Sequence, residues 1–98
     1  MKLKSVNSGE PRFPLGDLVT TPRALMALQV AATPTALLIR HVKGDWGDVS
    51  EHDRHQNEFA IKAGLRILSS YTLATGTKIW VITEADRSAT TLLLPEEY

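Results

Sequence analysis

The apolar positions of this chain change period at Gly64. Before it they recur at helical spacing; after it they run in short stretches rich in β-formers. Thr21-Pro22 opens the first predicted helix. The Thr21 hydroxyl can accept from a free backbone N–H, and Pro22 suits the first helical position because no hydrogen bond is lost there. The helix runs through Arg23–Ala31 and offers Leu25, Met26 and Leu28 as apolar surface. Thr33-Pro34 repeats the signature and predicts a second helix from Pro34 to about Lys43, with Leu37, Leu38 and Val42 apolar and Gly44 as its stop. Two short helices so tightly connected predict an αα-hairpin. Ser50, with Asp53 acting like the acidic partner of a capping box, opens a third helix over Glu51–Ala63. Its apolar face is thin: Phe59, Ala60 and Ala63, with Ile61 to one side.

Beyond Gly64, Arg66–Leu73 and Ala89–Leu94 read as strands flanking Lys78-Ile79-Trp80-Val81-Ile82-Thr83, the strongest strand in the chain. Ala74-Thr75-Gly76 makes the first turn and Pro95 ends the last strand. Residues 77–83 carry apolar groups on both faces, which predicts the central place in the sheet. Leu18-Val19-Thr20 reads as a short extended segment, and residues 1–12 as a flexible or extended polar arm. The expected architecture is α+β: three short helices packed on a three-stranded antiparallel β-meander, in one domain over residues 13–98.

Composition narrows the function classes. The 98 residues are 43% apolar and 22% charged, with 11 basic and 11 acidic side chains and no cysteine. That is the size and mixture of one globular domain. Without cysteine there is no disulfide, thiolate nucleophile or zinc–thiolate site. A general polyanion binder carries a basic excess, which is missing here. No apolar run approaches the roughly 20 residues of a membrane span, and the N-terminus lacks an apolar signal core. A soluble, cytoplasmic protein is the expectation. Charge is mildly segregated: Lys2, Lys4, Arg12, Arg23, Arg40 and Lys43 make the N-terminal part basic. That lobe could meet phosphate, although no aromatic interleaving accompanies it.

Four groups of residues could carry chemistry. His52 and His55 share a face of the third helix, and His41 lies on the second; with Asp45, Asp48 and Asp53 they are candidate metal ligands, although no third ligand stands at a telling spacing. Glu84, Asp86 and Arg87 follow the central strand, where two carboxylates and an arginine could form a hydrolytic site or simply close a turn. Trp46, in the Gly44–Asp48 loop, is either an exposed anchor or a core plug. Trp80 faces the side of the sheet opposite Ile79 and Val81. If no helix covers that side it offers an interface or a homodimer contact through the sheet face, and Tyr71 could pair with it across strands. No Gly-rich phosphate loop, nucleophile elbow or Ser/His/Asp spacing is present, so no catalytic residue and no cofactor is assigned.

Arg40-His41-Val42-Lys43-Gly44-Asp45-Trp46-Gly47-Asp48, Arg66-Ile67-Leu68-Ser69-Ser70-Tyr71, the run from Lys78 to Thr91, and Leu93-Leu94-Pro95 with Tyr98 resemble a family of short "plasmid-related" proteins carried on bacterial plasmids and integrative conjugative elements. The resemblance covers about residues 13–98. It implies a mobile-element context and no established activity. Some members are described as modification subunits of type I restriction enzymes. The Gly-rich cofactor turn and Asn-Pro-Pro-Tyr-type loop of a DNA methyltransferase are both missing from this chain.

Three functional expectations result. The first is a small non-enzymatic accessory protein of a mobile element, acting by protein–protein contact and modulating or inhibiting a host defence system. Arg40, Asp45, Trp46, Asp48, Trp80, Glu84, Asp86 and Arg87 are its candidate contact residues. The second is a nucleic-acid-binding accessory using the basic lobe. The third is a metal-assisted hydrolase or nuclease built on His41, His52 and His55.

Overall fold

Each helix begins on the hydroxyl that the sequence offers it. In the computed structural model, which describes residues 10–98, Thr21 Oγ1 accepts from Ala24 N at 3.1 Å, Thr33 Oγ1 from Ala36 N at 3.2 Å and Ser50 Oγ from Asp53 N at 3.1 Å. These caps open α1 (Pro22–Gln29), α2 (Pro34–Val42) and α3 (Glu51–Ala63). Among the described residues four strands complete the fold: β1 (Asp17–Thr20), β2 (Ile67–Thr72), β3 (Lys78–Thr83) and β4 (Ala89–Leu93), with a 3-10 turn at Pro95–Glu97. The arm expected over residues 1–12 lies mostly outside the described residues. Arg12 itself is anchored: its N–H donates to Val42 O at 2.8 Å and its guanidinium grips the Glu58 carboxylate.

The α+β class holds, with β3 inside the sheet as its two apolar faces require. The strand order is β1-β4-β3-β2. β2, β3 and β4 form the antiparallel meander. The sheet is not three-stranded, however: β1 adds a fourth strand, parallel to β4 with Leu18 opposite Thr90. The partner of β1 lies about seventy residues away, so no local turn signal announces the pairing. The expected αα-hairpin is also corrected, because α1 and α2 meet at a bend of 103°.

One face of the sheet carries Ile67, Ser69, Tyr71, Ile79, Val81, Thr83, Thr90 and Leu92, all at most 1% exposed. Ala24 and Leu28 of α1 and Leu37 and Leu38 of α2 pack on it. A second cluster joins Phe13, Val42, Trp46, Ala60 and Ile67. α3 does not bury Phe59, which is 59% exposed. It turns Asn57 inward instead, for a reason that lies at the β2 edge.

Candidate interaction surface

The two outer edges of the sheet are treated in opposite ways. At β2, the Asn57 side chain replaces a strand: its Nδ2 donates to Leu68 O at 2.8 Å and its Oδ1 accepts from Leu68 N at 3.1 Å. One pair of peptide groups further on, Ser70 N donates to Trp46 O at 3.0 Å and Asp48 N donates to Ser70 O at 2.6 Å. This edge is closed, as edges must be if they are not to recruit other chains. Asn57→Ala is expected to cost about 2 kcal/mol, because it strands a peptide donor and acceptor together. Urea unfolding measures that cost, and faster amide exchange at Leu68 would place the loss at the edge.

At β1 the edge is open among the described residues. Asp17 N donates inward to Ser88 O and Thr21 N to Leu92 O. In a parallel ladder the alternate residues then point outward, and among the described residues nothing pairs the backbone of Leu18 or Thr20 on that side. Two adjoining hollows, of about 300 Å³ and 230 Å³, flank this edge on its helical side. They share Leu15, Leu18 and Val42. Phe13 and Pro14 extend the first, Leu38 and Ile39 the second. No charged residue lines either one.

The surroundings are equally bare of charge. Residues 13–39 contain two charged side chains, Asp17 and Arg23. Of the nine large apolar residues exposed among those described, six fall in this stretch: Leu18, Val19, Leu25, Met26, Val30 and Ile39. Ala24 and Leu28 set the core stripe of α1; Met26 and Val30, each two residues further on, face away from it. Apolar surface with one Asp, one Arg and no Lys or Glu is close in composition to an interface centre.

The residues singled out in the sequence do not assemble into a site. Trp46 is 1% exposed. As a plug it stacks on Phe13 with centroids 6.2 Å apart, meets His41 edge-on at 6.0 Å, and donates its Nε1–H to Glu58 Oε2 at 3.2 Å. It is therefore no exposed anchor. Arg40 grips Asp45 through two hydrogen bonds of 2.7 and 3.2 Å and lies over the Tyr71 ring. That grip holds the Asp45 carboxyl below its usual range. Asp48 accepts from the Thr72 hydroxyl and lies 3.9 Å from Lys78 Nζ, at the start of β3. Glu84, Asp86 and Arg87 sit at the other end of β3, roughly 16 Å away along the strand, so the two loops do not meet.

At that far end the polar residues tie the turn to its neighbours. Glu84 pairs with Arg66 at 3.5 Å, and Asp86 Oδ1 accepts from Ser88 N at 2.9 Å. Arg87, at φ 61, donates to the carbonyls of Ala60, Leu65, Glu84 and Ala85. It thus closes the turn through backbone carbonyls. Trp80 does lie opposite the helices, half-buried and edge-on to Tyr98 at 5.7 Å. Ser70, not Tyr71, is its partner on β2; Tyr71 faces Ile79 and points to the helical side.

The histidines separate as well. His52 and His55 are exposed on α3, whereas His41 is fully buried. Among the described residues no three His, Cys, Asp or Glu side chains are gathered to hold a metal ion. His41 Nδ1 lies 2.6 Å from Ser69 Oγ and Nε2 lies 2.9 Å from Thr83 Oγ1. Thr83 Oγ1 is 2.7 Å from Thr90 Oγ1, which donates to Leu15 O at 2.8 Å. Counting protons fixes the direction. Thr90 spends its one proton on Leu15, so Thr83 donates to Thr90. Nε2–H of His41 therefore donates to Thr83, and Ser69 donates to Nδ1. Burial pushes the His41 pKa down to about 4, which keeps the ring neutral as this chain of donors requires. Ser69 and His41 are both 0% exposed, so no substrate reaches them.

No protein-family model, curated protein or solved structure matches this chain. Among the described residues no single helix is long and apolar enough to cross a membrane.

Proposed function

We propose that this protein is a small non-enzymatic accessory of a mobile genetic element that works by binding another protein in the cytoplasm, with a host defence system as its target. One observation carries the reading: the nearly uncharged β1–α1–α2 face, where Leu18, Leu25, Met26, Val30 and Ile39 stand exposed beside a strand edge that is unpaired among the described residues. The mobile-element context rests on the resemblance to plasmid-related proteins. The basic lobe favours a protein partner over phosphate, since Arg12, Arg23 and Arg40 already hold Glu58, Glu96 and Asp45.

The test replaces apolar groups on this face without touching the core. Met26→Glu and Ile39→Glu change side chains that are 68% and 47% exposed, so each should alter stability by no more than about 0.5 kcal/mol. In cross-linking capture from a bacterial host, the wild-type chain should retain a partner that both variants lose, a loss of at least about tenfold. Capture that is absent, or unchanged by both substitutions, would sink the reading.

A further inference from the structure

We infer that residues 95–98 form a strap that opens as one unit while the sheet stays folded, uncovering Trp80 and releasing the first turn of α1 in the same step. This device is independent of the partner proposed above. Side chains tie the strap down at both ends. At one end Glu97 Oε1 accepts from the Thr21 hydroxyl and from Leu94 N, both at 2.8 Å. Beside it Glu96 lies 3.2 Å from Arg23. Thr21 is the cap of α1, and the first turn of that helix has no acidic residue of its own. The strap supplies the negative charge that a helix start favours.

At the other end the Tyr98 hydroxyl accepts from Arg66 Nη1, and the Arg66 guanidinium lies 5.8 Å from the centre of the Tyr98 ring. The same ring meets Trp80 edge-on at 5.7 Å. Trp80 is on the side of the sheet away from α1 and α2. Four residues therefore join the start of α1 to the opposite face of the sheet.

The backbone of the strap adds no hold on its surroundings. Among the described residues its hydrogen bonds are local, from Glu97 N to Leu94 O and from Tyr98 N to Pro95 O. None of the four residues is buried, and Tyr98 is 66% exposed. Segments with so little buried surface open at a lower free energy than the whole domain. The two local bonds also explain why the ends move together. Glu97 and Tyr98 are neighbours on one turn and are tied to different sides of the domain. Freeing either residue swings the turn and pulls on the other tie.

The test reads each variant of the full chain at the end it does not touch. Arg66→Ala loosens the Tyr98 end, at a side chain that is 49% exposed. The readout is hydrogen exchange at the Leu94 amide, whose partner is Glu97. Its protection relative to the β3 amides should fall about threefold. Glu97→Ala loosens the α1 end, and the readout is acrylamide quenching of tryptophan fluorescence. Trp46 is 1% exposed and stays shielded, so a rise in quenching belongs to Trp80. Both far-end responses together establish the strap. A wild-type Leu94 amide as protected as those of β3 overturns the inference, because the turn then opens only with the fold. It is equally overturned if either variant leaves the far end unchanged, because the two ties are then separate surface contacts.

Discussion

Lowering the pH from about 6.5 to about 5 is expected to remove roughly 2 kcal/mol of stability through His41 alone. The sign follows from its buried position. In the fold the ring has a pKa of about 4, against 6.5 in the unfolded chain. Between these values the unfolded state binds a proton that the folded state refuses. The stabilising contribution is therefore complete above pH 6.5, falls as the pH drops, and is exhausted near pH 4. Asp45 and Glu58, which Arg40 and Arg12 hold below the usual carboxylate range, lose their contributions at lower pH. The two windows are thus largely separate.

His41→Gln isolates the effect. Its amide can donate towards Thr83 and accept from Ser69, so much of the buried network survives without a titrating ring. The variant should be about 1–2 kcal/mol less stable near neutrality. Across the same pH interval its stability should fall by about 2 kcal/mol less than that of the wild type. Urea unfolding at both pH values decides the matter: equal slopes would place the titrating group elsewhere.

The behaviour of His41 shows how far the sequence could be read. Its place on a helix was legible from spacing, but its partners were not. Ser69, Thr83 and Thr90 come from three strands and converge only when the sheet forms. Local chemistry announced the helix starts, because a Thr-Pro or Ser-x-x-Asp cap acts within one turn. Lys78–Thr83 was recognisable as central because both its faces are apolar. β1 lacks any such mark: its four residues neither alternate nor connect to a nearby strand. The proposed interaction surface is hard to read from the sequence for a related reason. Charged and aromatic residues draw the eye to Trp46, Asp45 and Arg87, yet these hold the fold together. The signal that does locate the surface is an absence, the 27 residues from Phe13 to Ile39 with two charges among them. Met26, Val30 and Ile39 become informative once the core stripe of each helix is known.

Gly47→Ala should be among the most damaging single substitutions in the chain, costing more than about 3 kcal/mol. Gly64→Ala separates the two causes. Both glycines are left-handed, at φ +74 and +70, so both substitutions incur a backbone cost of about 1–2 kcal/mol. At Gly64 a Cβ meets nothing within 4 Å, and that cost should be the whole effect. At Gly47 a Cβ would lie 2.0 Å from Ser70 O and 2.7 Å from Tyr71 Cδ1. Neither can withdraw, because Ser70 lies in β2 and Tyr71 is held by the core and by its bond to Asp45 O. The loop must rise instead. Rising breaks the bonds between Ser70 and both Trp46 and Asp48, which reopens the β2 edge, and it draws Trp46 out of its place between Phe13 and His41. The Trp46 near-ultraviolet signal should therefore weaken in Gly47→Ala and persist in Gly64→Ala. Equal costs for the two variants would mean that close packing of the loop on β2 contributes little, and that the backbone conformation alone demands glycine.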